Sequence, residues 1–369
     1  MKYYIIAGEA SGDLHGSNLI TSILKRDNDA QMRCWGGELM QAAGGNIVKH
    51  YRDLAFMGFT EVIMNLSTIL KNFTFCKKDI TDFKPDVLIL IDYPGFNLKI
   101  AKWAKENKLK VVYYISPQVW AWKESRVHNI KKYVDKMLVI LPFEKEFYKK
   151  WDFEVDYVGH PLVEVVHQFK SNQSTKSSIF QSKKIVAILP GSRKQEIIKK
   201  LPIMLSVCEY FKDYEFIVAK APGLEDEFYQ ELLIPFKNVS SVHNKTYELL
   251  YYSEAALVTS GTATLETALF GVPEIICYKG NKISYQIAKR LIKIKFIGLV
   301  NLIMNKEVVK ELIQDELNTD TLKKELNSLL TDRNKIARIQ KDYSDLDALL
   351  SQGGKASENA ADIIANLLK

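Results

Sequence analysis

Short apolar runs and longer amphipathic segments alternate along most of the chain. Between the runs of the first half lie segments with helical spacing, at 17–26, 61–82, 96–107 and 123–134. The runs themselves have the length and residue types of buried strands; they are YYIIAG (3–8), MRCWGG (32–37), VLILID (87–92), VVYYIS (111–116), MLVIL (137–141) and VDYVG (155–159). Most are continuously apolar, as in parallel strands covered on both faces. The pattern predicts βαβ units and a doubly wound parallel sheet.

The alternation stops at residues 168–183, which are polar, rich in serine and without periodicity, and then begins again. The later strand candidates are KIVAILPGSR (184–193), YEFIVAK (214–220), SSVHN (240–244), AALVTSG (255–261) and EIICYKG (274–280). We therefore predict a Rossmann-like domain over 1–167, a linker or loop over 168–183, and a second Rossmann-like domain over 184–340 that faces the first across a cleft. The helical tail, 341–369, is expected to pack back on the first domain.

Composition narrows the function only in part. A chain of 369 residues with 47% hydrophobic content is sufficient for two cores. The 51 basic and 44 acidic residues give a net charge of +7; a solvated surface explains this excess most simply, although it also favours anionic partners. No nucleic-acid-binding motif is present, and neither CxxC nor HExxH occurs. Nucleic acid, a disulfide framework and a metal site are therefore not predicted.

In doubly wound sheets, ligands bind just beyond the carboxyl ends of the strands, so the loops at those ends are the first candidates. Gly191, Ser192 and Arg193 lie between a predicted strand and a predicted helix. A glycine turn with a hydroxyl, a guanidinium and a helix N-terminus suits phosphate oxygens. An ordinary turn with a surface arginine explains this loop, taken alone, equally well.

A second loop has the same form. Ser260, Gly261 and Thr262 lead into a helical pattern, and Glu266 follows one to two turns later, where a carboxylate either binds two ribose hydroxyls or faces solvent. Two such loops in one domain favour a nucleoside diphosphate. The chain contains no GxxxxGK[ST] and no GxGxxG after a strand, so a P-loop enzyme and a dinucleotide oxidoreductase are not favoured.

In the first half, Asp92 ends an apolar strand and precedes Pro94-Gly95. A partly desolvated carboxylate at such a strand end has a raised pKa and suits a general base, whereas a turn or N-cap aspartate is the alternative explanation. The stretch IIAGEASGDLHG (5–16) has the form of a phosphate loop but carries two carboxylates. Trp120 and Trp122 either line a sugar site or belong to the core.

Several distinctive segments follow one another along the chain. They are AGEASGDLHG (7–16), FMGFTEV (56–62), KPDVLILIDYPGFN (84–97), YYISPQVWAWKESR (113–126), LPFEKEFY (141–148), YVGHPL (157–162), LPGSRKQEI (189–197), TSGTATLE (259–266) and VNLIMNKEVVKELIQDE (300–316). Each segment alone is unspecific, but the ordered set, from about residue 3 to 316, resembles the lipid A disaccharide synthase family.

The resemblance implies a metal-independent, inverting glycosyltransferase of GT-B architecture that needs no cofactor. It would transfer 2,3-diacylglucosamine from UDP-2,3-diacylglucosamine to the 6-hydroxyl of 2,3-diacylglucosamine 1-phosphate (lipid X). The products would be the β-1,6-linked tetraacyl disaccharide 1-phosphate of lipid A biosynthesis and UDP.

The resemblance also implies residue roles. Asp92 would be the general base, and Arg193 would neutralise the leaving diphosphate. The other UDP-sugar residues would be Gly191, Ser192, Ser260, Gly261, Thr262, Glu266 on the ribose, Asn301 and Gln314.

With UDP in the second domain, the first glycine-rich stretch is expected to face a sugar; its candidate residues are Gly8, Glu9, Ser11, Gly12 and Asp13. Gly8 and Gly12 would make a tight turn. Glu9 would accept hydroxyl hydrogen bonds or orient donors, and Asp13 would cap the following helix.

Both implied substrates are acylated, so we expect a cytoplasmic protein that binds the inner-membrane surface peripherally. No signal-peptide pattern and no apolar stretch of about 18 residues is present. Periodicity alone favours a core-facing helix in 57–75, whereas the resemblance favours an exposed patch for membrane and acyl chains. The candidates are Met57, Phe59, Val62, Ile63, Leu66, Ile69, Leu70 and Phe73. The cations of 288–296 meet lipid headgroups or only solvent, and the helical tail could exchange in a homodimer.

Two alternatives remain open at this point. A peptidoglycan N-acetylglucosaminyltransferase or a UDP-sugar epimerase of the same architecture would not depend on an acylated acceptor. A non-catalytic UDP-sugar sensor or membrane-surface scaffold would bind nucleotide, and loss of Asp92 would not affect it.

Overall fold

The computed structural model describes residues 1–54, 66–172, 184–221, 224–281, 285–286 and 294–369, with the side chains of Leu66 and Trp122 excepted. The chain divides into two compact units. The first comprises Met1–Pro161 with Leu350–Lys369, and the second comprises Leu162–Leu349. Each unit is built around its own parallel sheet.

The sheet of the first unit has the order β3-β2-β1-β4-β5-β6-β7, with all neighbours parallel. Its strands are β1 (Lys2–Ala7), β2 (Gln31–Gly36), β3 (Asn46–His50), β4 (Val87–Ile91), β5 (Lys110–Tyr114), β6 (Lys136–Val139) and β7 (Asp156–Tyr157). Every residue of β4 is buried, as its continuously apolar sequence predicts. The strand order reverses between β1 and β4, so the loops after these two strands lie at the topological switch point, where such sheets bind ligands.

Helices and short 3₁₀ turns connect these strands. The helices are α1 (Ala10–Leu24), α2 (Glu38–Ala42), α3 (Leu66–Phe83), α4 (Pro94–Glu106), α5 (Val119–Trp122), α6 (Val127–Tyr133) and α7 (Glu144–Lys149), and the 3₁₀ turns are Tyr51–Leu54 and Glu124–Arg126. The predicted start of the first helix, at residue 17, is wrong. The helix begins at Ala10, because its glycines serve close packing and do not interrupt it: a Cβ on Gly16 would lie 2.6 Å from the Met40 sulfur.

The sheet of the second unit has the order β10-β9-β8-β11-β12-β13 and is also parallel throughout. Its strands are β8 (Lys184–Leu189), β9 (Tyr214–Lys220), β10 (Val239–His243), β11 (Ser253–Thr259), β12 (Glu274–Tyr278) and β13 (Lys310–Ile313). The sequence pattern does not predict β13, because half of its four residues, Lys310 and Glu311, are charged. The strand forms by pairing with β12.

The helices of this part of the chain are α8 (Pro161–Asn172), α9 (Lys194–Leu205), α10 (Asp226–Leu233), α11 (Thr246–Tyr252), α12 (Thr262–Phe270), α13 (Leu299–Met304), α14 (Thr319–Thr331) and α15 (Arg333–Ser351), with 3₁₀ turns at Cys208–Tyr210 and Gln314–Glu316. The linker expected over 168–183 is wrong for 168–172, which are helical; 173–183 lie outside the described residues. The helix continues because Phe169 packs edge-on against Tyr247 and Phe270, with ring centroids 5.6 and 5.7 Å apart.

The C-terminal helix, α16 (Ala356–Leu368), belongs to the first unit. Arg26 at the end of α1 donates two hydrogen bonds to the Asp362 carboxylate, at 2.5 and 2.9 Å. Asn359 donates to the Val158 carbonyl at 3.0 Å. The unit boundaries, after Pro161 and before Leu350, therefore differ from those expected at 167 and 341.

Candidate active site

Two consecutive residues after β4 have left-handed backbone conformations. Asp92 has φ +42° and Tyr93 has φ +46°, which is unusual for residues with side chains. Three hydrogen bonds hold the turn: Asn97 donates to the carbonyls of Ile91 (3.2 Å) and Asp92 (2.8 Å), and the Tyr113 hydroxyl donates to the Asp92 carbonyl (2.5 Å). Backbone of this kind costs about 1–3 kcal/mol per residue and persists only where its surroundings determine it. The backbone of Asp92, and with it the direction of its Cα–Cβ bond, is therefore held in place.

The environment of Asp92 changes its acidity. Burial is the larger cause, and the negative charge of Glu9 is the second; together they raise the pKa of Asp92 to about 7. A hydrogen bond with the Tyr93 backbone opposes the rise. A carboxylate with this pKa takes up a proton readily near neutral pH, which is what general-base catalysis requires.

The first glycine-rich stretch contains only a two-residue turn, Gly8-Glu9, between β1 and α1. A Cβ on Gly8 would lie 2.3 Å from the Tyr93 ring, so glycine is needed there to admit that ring. The expectation that Gly12 helps to make a turn is wrong. Gly12 lies inside α1, where a Cβ would come within 3.1 Å of the Ala7 Cβ. Ser11, in the first turn of α1, is exposed.

The role expected for Asp13 is also wrong. Its buried carboxylate does not cap α1, in which it lies, but accepts hydrogen bonds from backbone N–H groups at the start of α2. The donors are Gly37 (2.7 Å), Leu39 (3.1 Å) and Met40 (3.1 Å). A carboxylate at a helix N-terminus satisfies otherwise unpaired donors and complements the helix dipole. Asp13 is thus occupied in holding α2.

Trp120 belongs to the interior. Its indole N–H donates to the Glu144 carboxylate at 3.1 Å, and Glu144 also accepts from the Leu141 N–H at 3.0 Å. Burial raises the pKa of Glu144 to about 7. The side chain of Trp122 lies outside the described residues.

In the second unit, the loop after β8 places polar groups at the start of α9. Gly191 has φ +114°, a conformation that favours glycine, and Ser192 and Arg193 are exposed. The Arg193 guanidinium donates to Glu196 at 3.2 Å. Because the first N–H groups of a helix lack intrahelical partners, this loop presents both an exposed cation and backbone donors to an anion.

Lys200 lies beneath this loop, and no sequence motif indicates it. Its side chain is only 3% exposed; its ammonium donates to the Thr259 hydroxyl and, at 3.4 Å, to Glu196. Burial lowers the pKa of Lys200, and Glu196 opposes this change. The only sequence signal is the i,i+4 spacing of Glu196 and Lys200, which usually marks a solvated pair.

The loop after β11 is open. Gly261 has φ +135°, and a Cβ built on it would meet nothing within 4 Å among the described residues. Ser260 is partly exposed, and Gly261 and Thr262 are exposed at the start of α12. The Thr264 hydroxyl donates to the Gly261 carbonyl at 2.8 Å and holds the turn. The geometry leaves room for a ligand next to the helix N-terminus.

Glu266 is half-buried on α12 and does not simply face solvent. The Tyr247 hydroxyl donates to its Oε1 at 2.9 Å, and Tyr247 is itself fixed in the aromatic cluster with Phe169 and Phe270. Burial raises the pKa of Glu266, and the Tyr247 hydrogen bond opposes this rise. Tyr247 was not predicted, since nothing in the sequence relates it to Glu266.

The last two residues predicted for the UDP-sugar site, Asn301 and Gln314, have different surroundings. Asn301 is fully buried: its amide donates to the Val309 carbonyl (2.8 Å) and Glu311 (2.9 Å), and its oxygen accepts from the N–H groups of Val308 (2.8 Å) and Val309 (3.0 Å). These bonds use its whole hydrogen-bonding capacity in fixing the start of β13. Gln314, directly after β13, has φ +57° and is 8% exposed, and its side-chain nitrogen has no partner among the described residues.

Part of the expected membrane patch falls on described residues. Leu70 is 58% exposed and Ile69 is half-buried, whereas Phe73 stacks on Phe96 with ring centroids 4.3 Å apart and therefore faces the core. Phe75, which was not predicted, is 43% exposed. Outside the described residues lie Met57, Phe59, Val62, Ile63 and the side chain of Leu66, as do 288–293 of the basic segment.

Within the described ranges, no helix has the length and apolar character that crossing a membrane requires. The same residues hold no group of three or more His, Cys, Asp or Glu side chains placed to bind a metal ion.

The model of the lipid-A-disaccharide synthetase family matches residues 3–366. The chain belongs to this family. It is 39% identical to the lipid-A-disaccharide synthase of Syntrophus aciditrophicus and 38% identical to that of Geobacter metallireducens; the alignments cover 99% and 100% of this chain and 97% of each relative. The chain is therefore a glycosyltransferase of lipid A biosynthesis, as its motifs predicted.

Solved structures confirm the predicted GT-B fold of two Rossmann-like domains. The UDP-GlcNAc 2-epimerase of Neisseria meningitidis, bound to UDP-GlcNAc, superposes with a TM-score of 0.69 at 14% identity, covering 100% of this chain and 99% of the epimerase. The glycotransferase of kitacinnamycin superposes with a TM-score of 0.68 at 13% identity, with the same coverage. At these identities the likeness shows the fold alone, and the family match separates this chain from the epimerases.

Proposed function

We propose that this lipid-A-disaccharide synthetase transfers 2,3-diacylglucosamine from UDP-2,3-diacylglucosamine to the 6-hydroxyl of lipid X, with inversion and with Asp92 as the general base. The observation that carries the proposal is the turn after β4. It holds a carboxylate in a strained, hydrogen-bonded conformation and raises its pKa to about 7.

In the acceptor half of the reaction, Asp92 removes the proton of the 6-hydroxyl as that oxygen attacks the anomeric carbon. Asn97 and Tyr113 hold the Asp92 backbone, so the carboxylate does not reorganise during the step. The charge of Glu9 makes Asp92 a stronger base. Glu9 also remains, on this proposal, the residue of the Gly8-Glu9 turn that accepts sugar hydroxyls.

In the donor half, the bond between the anomeric carbon and the diphosphate oxygen breaks, and UDP leaves with the bonding electrons. Arg193 and Ser192, with the backbone N–H groups at the start of α9, bind the diphosphate and stabilise its developing charge. Removing one such preorganised donor typically slows a reaction about 10²–10³-fold. Gly191 allows the loop to approach the phosphate oxygens.

The remaining donor-side contacts place the nucleoside. Ser260, Gly261 and Thr262 bind a phosphate oxygen at the start of α12, and Glu266, oriented by Tyr247, accepts hydrogen bonds from the ribose hydroxyls. The amide nitrogen of Gln314, which has no partner in the described part of the chain, donates to the same ligand. Asn301 supports this edge of the sheet through β13 and makes no side-chain contact with UDP.

The acylated substrates are collected at the cytoplasmic face of the inner membrane by a cytoplasmic, peripherally bound enzyme. The exposed Leu70 and Phe75 on α3 support this contact. More of the wild-type protein than of a Leu70→Ser, Phe75→Ser variant should co-sediment with vesicles of anionic lipid. Equal co-sedimentation would show that α3 does not take part in the membrane contact. A homodimer formed by exchange of α16 stays a prediction, which light scattering tests.

The test of the reaction is UDP release from UDP-2,3-diacylglucosamine with and without lipid X, in EDTA, by the wild type and by Asp92→Asn. We expect acceptor-dependent release that EDTA does not affect and that the substitution abolishes. Release without lipid X would favour hydrolysis or another acceptor. Tight UDP binding without turnover would favour a sensor, and full activity of the variant would exclude Asp92 as the base.

A further inference from the structure

Four side chains form a continuous chain of polar contacts across the carboxyl ends of β8 and β11. Arg193 donates to Oε1 of Glu196 at 3.2 Å, and Lys200 donates to the other carboxylate oxygen at 3.4 Å. The Lys200 ammonium also donates to the hydroxyl of Thr259, the last residue of β11. The loop after β8 is thereby connected to the strand that leads into the second ligand loop.

The exposures of these groups differ in a systematic way. Arg193 is 54% exposed and Glu196 is 39% exposed, whereas Lys200 is 3% exposed. The chain of contacts therefore runs from an exposed surface cation to a buried interior one. A buried ammonium is costly unless hydrogen bonds and a counter-charge compensate it, and Thr259 and Glu196 are the two groups that do so.

Glu196 is the one residue of these four whose charge disfavours diphosphate binding. A Cβ on Gly191 would lie 3.1 Å from its Oε2 and 3.6 Å from the Lys200 nitrogen, so the carboxylate lies directly under the loop proposed to bind the diphosphate. An uncompensated carboxylate there would repel the diphosphate and would also retain Arg193. The positive charge of Lys200 offsets part of this effect from the interior side, although Arg193 still donates to Glu196 in the structure.

We propose that Lys200 is a positioning residue for diphosphate binding: it offsets the charge of Glu196 and so weakens the hold of that carboxylate on Arg193, which then exchanges Glu196 for the β-phosphate of UDP. This inference rests on the proposed function, since it assigns the diphosphate to the Gly191–Arg193 loop. Lys200 itself does not touch the substrate. Its effect should be specific to ligands that carry a second phosphate.

The experiment compares the binding of UDP and UMP by calorimetry in the wild type, Lys200→Met, Glu196→Gln and the double variant. We expect Lys200→Met to weaken the affinity for UDP about tenfold, which is the usual scale for loss of a hydrogen-bonded charged partner. The affinity for UMP should fall less than about twofold. Glu196→Gln added to Lys200→Met should restore most of the UDP affinity, because no carboxylate then remains to be neutralised. Lys199→Met, on the exposed neighbouring lysine, is the matched control and should bind both ligands normally.

A purely structural lysine would give a different pattern. Equal losses for UDP and UMP, no rescue by Glu196→Gln, or an unchanged UDP affinity would each overturn the inference. If Lys200→Met does not fold, Thr259→Val tests the inference instead, because it removes the hydroxyl that holds the ammonium. This variant should weaken the affinity for UDP about threefold and leave the affinity for UMP unchanged. Absence of UDP binding by the wild type would overturn the proposed donor site itself, which is a distinct result.

Discussion

The loop after β4 differs from the loops after β8 and β11 in the residues that take positive φ. After β4, Asp92 and Tyr93 take left-handed conformations despite their side chains, and hydrogen bonds from Asn97 and Tyr113 hold the turn. After β8 and β11, the residues at positive φ are the glycines Gly191 and Gly261, and a Cβ on Gly261 would meet no described atom within 4 Å. At the carboxyl edge of the first sheet, this turn holds the backbone of a carboxylate, whereas the glycine loops at the edge of the second sheet leave space beside backbone donors.

This difference matches two chemical tasks. A base must keep its position and its raised pKa through proton transfer, so backbone strain is tolerated where it orients a carboxylate. A diphosphate site needs close approach to N–H groups, which glycine permits. The predictions below test whether each edge has the task that its geometry indicates.

Replacement of Asp92 by Asn should have the largest effect. Because the amide keeps the shape but accepts no proton, we expect kcat to fall about 10³-fold, within the usual range for a general base, with little change in UDP affinity. Single-turnover kinetics with saturating lipid X measures the first quantity and calorimetry the second. A comparable loss of UDP affinity would contradict the assignment of proton transfer to the first edge and UDP binding to the second.

Arg193→Ala should lower kcat/KM about 10²-fold, because the diphosphate loses its forked cationic donor. Lys194→Ala, at the adjacent exposed position, is the matched control. Steady-state kinetics with UDP-2,3-diacylglucosamine measures both. Equal effects of the two substitutions would indicate a general contribution of positive charge and would remove Arg193 from its specific role.

Asn97→Ala should lower kcat about tenfold by releasing the turn that holds Asp92, and it should cost about 1–3 kcal/mol of unfolding free energy because buried carbonyls lose their donor. Tyr113→Phe removes one hydroxyl donor from the same carbonyl and should act in the same direction, more weakly. Denaturant unfolding and kinetics are measured on the same preparations. Loss of stability with undiminished kcat would show that the strained turn serves folding alone.

Tyr247→Phe should have the smallest effect, a rise of about threefold in the donor KM with kcat unchanged, since it removes one hydrogen bond that orients Glu266. The affinity difference between UDP and 2′-deoxy-UDP should shrink in the variant if Glu266 binds the ribose. Tyr251, whose ring centroid lies 6.5 Å from that of Phe169, is the matched control, and Tyr251→Phe should leave that difference as it is. An unchanged difference in Tyr247→Phe would separate Glu266 from the ribose.

Sequence predicts those features of the protein that neighbouring residues in the chain determine. Apolar runs predict most strands of both sheets, although not β3 or β13, and a carboxylate or glycine after such a run indicates Asp92, Gly191 and Gly261. The glycine-rich stretch misleads because glycine serves two purposes: it permits turns, and it also permits close helix packing, which is how Gly12 is used.

Contacts between side chains that are far apart in the sequence cannot be predicted from local patterns. Lys200 meets Thr259 across 59 residues, and Asp13 caps a helix that begins 25 positions later, at Glu38. Neither pair has a spacing that marks it, because the fold and not the local sequence brings the partners together. Tyr247 and Glu266 meet across 19 residues for the same reason.

The pH dependence of kcat/KM in the wild type and in Glu9→Gln tests the central claim, that Asp92 is a base tuned by its surroundings. The reaction needs Asp92 deprotonated, so activity should fall as the pH drops through about 7. Replacing Glu9 by neutral Gln removes the repulsion that helps to raise the pKa of Asp92, so the acidic limb should move to lower pH. An acidic limb that stays in place in the variant, or no limb near pH 7 in the wild type, would contradict the account.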